Sequence, residues 1–496
     1  MSLLRKRCPL LFTIGVLLVT SLPAVFAQQQ PEVWDLRRCV DYAVSNNISV
    51  RQSDVQKRLA VLQYEQNKYS KYPNANFSTN TGLQFGRSID PTTNQFTNQR
   101  LLFQGFQFST DITIYNWGRI SNNITAARLE AEAAGSDVDK VRNDIALNVA
   151  TAYLQALLSK VQIDISAVQV EQSKGQLADT RKRVDAGTLP ELNAVDLEAQ
   201  LARDSATLIG AEATYEQNLL NLKALLNLDA ALPFTIAVPP VDQIPVEPMA
   251  ELMPEVVYAL ALQNQPAQKA NETRKQSLEY AVKASRAALY PTIFGSGGLA
   301  SNFASTNRKI TGFNFLGYGD PNPAAGAVTV DGQLIFLQSP NVQITQANKG
   351  FGELWNGWGT QMNNNFRQNV VVGLSIPIFN GYQARTAYER SKLSVKNQEL
   401  IIEQGNQTLK QDIYSAYTNA VSSMQRFNAS QSSLNATQKA YDFARRRYDL
   451  GLLSTLELIT SQNNLNRAKI DMANAQFDYV FRMKVLEFYR GQGIKL

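Results

Sequence analysis

The chain is built from two copies of one unit, and this duplication limits its possible folds more than any other feature. The segment Arg181-Lys182-Arg183-Val184-Asp185-Ala186-Gly187-Thr188-Leu189 returns as Arg445-Arg446-Arg447-Tyr448-Asp449-Leu450-Gly451-Leu452-Leu453, an offset of 264 residues. The same offset matches Ile114-Tyr115-Asn116 to Ile378-Phe379-Asn380, and Leu201 and Arg203 to Leu465 and Arg467. Upstream, Ala43, Asn46, Tyr72 and Pro73 match Ala261, Asn264, Tyr290 and Pro291 at an offset of 218. The second copy therefore carries 46 additional residues between Pro291 and Ile378, the difference between the two offsets. A proline-rich stretch from Pro233 to Pro254, with Pro239-Pro240, Pro245 and Pro248, reads as the linker. The expected repeats are 28–239 and 240–496.

Each copy reads as helix, strand, loop, strand, helix, helix. Residues 106–114 place Phe106, Phe108, Thr110, Ile112 and Ile114 on one face and Gln107, Ser109, Asp111 and Thr113 on the other, the period of a half-buried strand. Val370, Val372, Leu374, Ile376 and Ile378 repeat the pattern against Asn369, Gly373 and Ser375. Ala75, Phe77, Leu83 and Phe85 alternate with polar residues in a partner strand, and a Gly-rich counterpart follows Pro291. Four strands are expected, at about 74–89, 101–116, 291–304 and 366–380, each long enough to cross a bilayer when tilted. The extra residues of the second copy, rich in Gly, Asn and Phe from about Asn302 to Asn365, read as a long loop.

The helical segments are long. From Ile124 through Ala127, Ala131, Ala134, Val138, Val141, Ile145, Val149 and Ala152 to Ala156, apolar and small residues recur in steps of three and four. No proline interrupts 119–186 or 383–450, so each run would span ~100 Å at ~1.5 Å per residue. Flanking helices over 34–70 and 191–227 would each span ~55 Å, so two stacked end to end match one long helix. The arithmetic describes the wall of a helical cylinder.

Composition narrows the chemistry. The chain has no histidine, which removes imidazole bases, Ser-His-Asp and Cys-His systems and His-containing zinc sites. The formal charge is +6, but Arg5, Lys6 and Arg7 belong to a basic start followed by an apolar run and Val25-Phe26-Ala27, the pattern of a signal peptide over 1–27. The remainder is weakly charged, with no balance that points to nucleic acid. Of the two cysteines only Cys39 lies beyond that segment, where it reads as a small buried hydrophobe, and no lipid-anchor cysteine follows the cleavage site. No later stretch approaches 18 apolar residues, so a β-barrel is the membrane-crossing form left open.

The turn motifs have ordinary readings beside functional ones. Gly187 and Gly451 suit the left-handed position after a helix, and the basic triplets before them suit its negative end. Thr188-x-x-Glu191 and Ser454-x-x-Glu457 have capping-box spacing, so Glu457 reads as a helix cap or as a site residue. The aromatics Phe77, Phe85, Phe103, Phe106, Phe108, Tyr115 and Trp117 read as core packing or as a girdle at a membrane interface. Gly295, Gly297 and Gly298 lack the spacing of a nucleotide loop.

Taken in order, these residues resemble the TolC family of outer-membrane efflux and secretion channels. The resemblance rests on the duplicated unit, the opening Trp34-Asp35-Leu36 with Ala43 and Asn46-Asn47, the strand end Ile378-Phe379-Asn380-Gly381, and Arg447-Tyr448-Asp449-x-Gly451 running into Leu456-Glu457-Leu458. It implies a mainly α fold with a transmembrane β-barrel, in which three identical chains form a 12-stranded barrel continued by a long periplasmic α-barrel. It also implies an exit duct in the outer membrane of a Gram-negative cell, fed by a periplasmic adaptor and an inner-membrane pump, with no cofactor, metal or catalytic residue. Carboxylates past the second tip turn ring the periplasmic aperture in the family; the matching positions are Glu457 and Thr460, with Asn193 and Asp196 in the first copy. The tip turns Gly187, Leu189, Gly451 and Leu453 are the implied adaptor contacts, and Leu453 replaces the basic residue that latches the closed state. A coiled-coil envelope protein or adhesin is the alternative, and an enzyme lacks a nucleophile-base pair.

Overall fold

The structure, a computed structural model, describes residues 33–89, 96–98, 100–238 and 247–491. The expected signal segment and the linker residues Pro239, Pro240 and Pro245 lie outside the described residues. The first copy runs β1 (Val33–Trp34), α1 (Leu36–Asn46), α2 (Ile48–Tyr69), β2 (Asn76–Gln84), β3 (Arg87–Ile89), β4 (Phe96–Asn98), β5 (Leu101–Tyr115), α3 (Arg119–Asp185), α4 (Glu191–Leu226) and β6 (Thr235–Ile236). The second runs α5 (Pro254–Asn264), α6 (Pro266–Ala287), β7 (Thr292–Thr306), β8 (Arg308–Pro321), β9 (Ala327–Val330), β10 (Gln333–Phe336), β11 (Gln338–Asn348), α7 (Trp358–Asn364), β12 (Arg367–Ser375), α8 (Gln383–Asp449) and α9 (Thr455–Arg490). Among the described residues no helix is long and apolar enough to cross a membrane.

The long helices α3 and α8 are uninterrupted at 67 residues each, ~100 Å. The single helix expected over 34–70 is instead broken at Asn47. Its N–H closes α1 on the Ala43 carbonyl, its side-chain oxygen accepts from the Ser49 amide at 2.8 Å, and its Nδ2 donates to the Leu225 carbonyl. One residue thus ends α1, starts α2 and ties both to α4, which a periodicity reading misses. The second copy breaks at Gln265-Pro266, where the proline ring disfavours helix at the preceding residue.

The breaks lie against the middle of the long helices, where the two cores form. Ile145, Val149, Ala152 and Ala156 of α3 pack with Cys39, Ala43 and Leu222; Leu409, Ile413, Ala416 and Ala420 of α8 pack with Val257, Ala261 and Leu486. Every one of these pairs keeps an offset of 264 or 218, so the duplication is a duplication of cores. Burial, then the Asp35 carboxylate, against the opposing charge of Arg38, pushes the Cys39 thiol up to about 12, consistent with a packing role.

β12, β7, β5 and β2 form one antiparallel sheet in that order. Its register pairs Phe77 with Phe108, Phe108 with Leu299, Gly297 with Val370 and Gly295 with Val372. Phe77, Phe106, Phe108, Ile112, Leu299, Val370, Val372 and Leu374 therefore share one face, while Asn76, Asn80, Gln107, Asp111, Ser296, Asn302, Asn369 and Ser375 share the other. The apolar face is open in the single chain, Val370 being 88% exposed and Phe77 67%. β12 stops at Ser375, short of the 380 expected, because Pro377 has no N–H for a ladder.

The 46-residue addition is not the loop expected from its Gly and Asn content. β8 and β11 pair as a long antiparallel ribbon extending β7, with β9 and β10 pairing at its far end. A short return segment follows, in which Leu354, Trp355 and Met362 pack on Leu102 and Phe303. The Gln361 side chain bonds both the N–H and the carbonyl of Ala304, and Asn365 Nδ2 donates to the Asn302 carbonyl. These side chains of α7 and its C-cap satisfy the β7 edge beyond the start of β12.

Candidate functional site

The helical tips and the two-faced sheet are the features with functional character. At the first tip α3 ends with Gly187 at φ +75°, whose N–H bonds the Val184 carbonyl while the Thr188 N–H reaches Arg183. At the second, Gly451 has φ +76°, and the Gly451 and Leu452 amides bond Tyr448 and Arg447. Both glycines occupy the left-handed position that a side chain would strain.

The tips differ in what starts the next helix. Ser454 caps α9 through a complete capping box: its Oγ accepts from the Glu457 amide at 3.2 Å, and Glu457 Oε2 accepts from the Ser454 N–H at 3.0 Å and the Ser454 hydroxyl at 2.8 Å. These bonds, with a smaller pull from Arg447, hold the Glu457 carboxyl below the usual carboxylate range. The expected box at Thr188 and Glu191 is absent. Pro190 takes the N-cap position without a side-chain cap, and Thr188 Oγ1 donates backward to the Arg183 carbonyl. Pro190 is the counterpart of Ser454 at the 264-residue offset and carries no side-chain acceptor, so α4 starts at the equivalent position without a side-chain cap.

Glu457 and Thr460 are exposed near the start of α9, and Asn193 and Asp196 are half-buried near the start of α4. Further along, Gln200 Nε2 donates to Asn463 Oδ1 at 3.0 Å, so the helices bearing all four adjoin. Of the tip residues, Gly187 and Gly451 are exposed, Leu189 is half-buried, and Leu453 turns inward to a cluster of Tyr441, Leu458 and Leu465. Exposed hydrophobes at the tips include Leu192, Val195, Leu450, Leu452 and Leu456.

One feature was not read from the sequence. The inward stripe of α3 changes character after Ala156 and continues as Ser159, Ser166, Gln169, Ser173 and Thr180, all buried. In this tip half, buried Asp204 of α4 accepts from Ser173 Oγ at 2.5 Å, Gln200 Nε2 at 2.8 Å and Gln169 Nε2 at 3.2 Å. Gln462 reaches Ser173 from α9, while Gln176 and Thr180 meet the hydroxyls of Tyr441 and Tyr448 on α8. Among the described residues, the side-chain oxygens of Gln169, Gln176 and Gln462 have no hydrogen-bond partner. The signal was the continuing three-four spacing in polar residues, which an apolar stripe search discards.

At the end of the sheet nearest α3, Tyr115, Trp117 and Tyr290 form a cluster, and the Trp117 indole donates to the Pro291 carbonyl. At the other end Trp358 meets Phe106 edge-on and donates to Gln104. The two tryptophans lie toward opposite ends of the apolar face.

The family model for outer membrane efflux proteins matches residues 40–228 and 257–487. Outer membrane protein TolC of Escherichia coli is 23% identical over 124 residues, an alignment that spans a quarter of each protein. Among solved structures, CusC aligns with a TM-score of 0.69 at 17% identity, covering 92% of both chains. The CmeC outer membrane channel of Campylobacter jejuni aligns at 0.67 and 16% identity, over 93% of this chain and 86% of that one. VceC of Vibrio cholerae aligns at 0.67 and 14% identity, over 93% and 97%.

Proposed function

The chain belongs to the outer membrane efflux protein family, and from that premise we propose that it is a passive exit duct in the outer membrane, assembled from three copies. The observation that carries the reading is the four-stranded sheet with free β2 and β12 edges, apolar on one face and polar on the other. Unpaired edges in lipid leave backbone groups unsatisfied, and four strands are too few to close a barrel, whose smallest forms have about eight. Twelve strands from three chains close it, with the apolar face outward and Asn76, Gln107, Asp111 and Asn369 lining the lumen. The sheet also separates this reading from a coiled-coil adhesin, which needs none.

In this reading the helices form a periplasmic cylinder that takes substrate from an adaptor and an inner-membrane pump, with no catalytic step of its own. Glu457, Asp196, Asn193 and Thr460 surround the periplasmic aperture, and the tips at Gly187, Leu189, Gly451 and Leu453, with exposed Leu452 and Leu456, meet the adaptor. The polar seam around Asp204 supports a gate, because hydrogen bonds between helices exchange for water at lower cost than apolar contacts separate. Native mass measurement in mild detergent, combined with planar-bilayer recording, tests the duct. A trimer that conducts is expected, and a monomer with pore activity overturns the reading.

A further inference from the structure

The β8–β11 ribbon stands apart from the four-stranded sheet with one apolar face uncovered. Its register pairs Phe313 with Ile344 and Phe315 with Val342, while Asn314 pairs with Gln343 and Gly312 with Thr345. The first four side chains share a face, and all are exposed, Phe313 at 69%. A two-stranded ribbon has no second layer of its own and is marginal in water unless its apolar face is packed.

Lipid tails are poorly placed to cover it. β5 and β7 are already 15 residues long, more than the ~10 tilted residues that cross a bilayer, and the ribbon begins beyond β7. The strand order supplies a different neighbour. The ribbon grows from the β7–β12 side of the sheet, whereas the β3–β4 hairpin grows from the β2–β5 side. Closing the barrel joins β12 of one copy to β2 of the next, which brings one chain's ribbon beside the next chain's hairpin. That hairpin and its flank carry exposed Phe85, Ile89 and Phe96, with Arg87 over the Phe96 ring at 4.9 Å and Arg100 over Phe85 at 5.0 Å.

We infer that the insertion is an inter-subunit clasp: the apolar face of the β8–β11 ribbon packs on the β3–β4 hairpin of the adjoining copy, outside the membrane. The clasp rests on the proposed trimer and adds a contact that the barrel itself does not need. It makes the outer rim a closed collar of alternating ribbons and hairpins.

The test combines Phe96→Cys with Phe313→Cys in the full chain, purified in mild detergent, weighed in its native state and treated with a short bismaleimide. Cys39 is fully buried and stays silent. Covalent dimers and trimers are expected from the double variant and from neither single variant. Linkage by Phe313→Cys alone would place ribbons against each other and overturn the hairpin as partner. Reaction of that thiol with a membrane-partitioned maleimide in place of the partner thiol would overturn the clasp in favour of lipid. No linkage in a preparation of trimeric mass overturns the clasp while the duct stands, whereas a monomeric mass overturns both. A second variant, with residues 312–345 replaced by a Gly-Asn turn, should retain its trimeric mass in mild detergent but dissociate at a lower temperature in dodecyl sulfate; an unchanged dissociation temperature counts against the clasp.

Discussion

At Glu457 one carboxylate serves a cap and, in the duct reading, an aperture. Glu457→Gln keeps an oxygen that accepts from the Ser454 N–H while removing the charge, so the roles separate. Planar-bilayer recordings of this variant should show reduced cation preference and weaker block by multivalent cations, because the low-dielectric wall of a narrow ring focuses the field of its charges. Ser454→Ala should leave selectivity intact and cost about 1 kcal/mol of helix stability. An unchanged reversal potential in the Gln variant would leave Glu457 as a cap only. The pH dependence has a defined sign. The folded-state pKa of Glu457 lies below its ordinary 4.5, so the cap contributes fully above that value and is lost as pH falls through the depressed pKa. Amide protection at the start of α9, taken relative to the intrinsic exchange rate at each pH, should therefore fall in acid more than at the start of α4, which has no such cap; an equal fall at both would contradict the assignment.

Among the elements, the tip half of α3 is joined to α4 and α9 by hydrogen bonds, where its middle is held by apolar packing. Asp204→Ala strands the donors of Ser173, Gln169 and Gln200 and should lower stability by about 1–3 kcal/mol. Replacing the set by apolar residues (Gln169→Leu, Ser173→Ala, Asp204→Leu, Gln462→Leu) should raise the melting temperature and reduce conductance, since a dry seam resists separation. A stabilised variant that conducts like the parent would remove the seam from the gate. In the sheet, both edge strands carry a glycine beneath an aromatic ring of the adjoining strand. A Cβ at Gly373 would stand 2.4 Å from the Phe294 ring, and one at Gly82 2.8 Å from Phe103. Gly373→Val should cost about 1–3 kcal/mol by overpacking and lower the yield of heat-resistant trimer. Normal trimer yield would show that the ring moves aside freely.

On the scale of the whole molecule, the sheet and its ribbon lie at one end of the long helices and the two tip turns at the other. In the duct reading this sets the orientation: ribbon outside the cell, tips in the periplasm. Protease added to intact cells should cut within 322–337, at the ribbon's far end, and leave the tip turns whole. Cleavage at the ribbon only after the cells are broken would invert the orientation. The helix lengths and strand parity behind this layout were legible because long unbroken periods report directly on a buried face. The break at Asn47 was not, since it depends on one side chain reaching the Leu225 carbonyl, 178 residues away.

The sequence by itself determined the duplication, the two ~100 Å helices, the apolar parity of the strands and the glycines of both tips, because each follows from local periodicity or from a backbone angle that few residues adopt. The structure showed which capping motif closes: both helices start at equivalent positions, but Pro190 lacks the side-chain acceptor that Ser454 supplies. Tertiary structure alone decided that a Gly- and Asn-rich insertion becomes a paired ribbon, and that the stripe of α3 changes from apolar to hydrogen-bonded beyond Ala156. The ribbon turns on which strands pair and the seam on which helices meet, as Gln462 meets Ser173 across 289 residues, and composition within one segment carries no record of the partner.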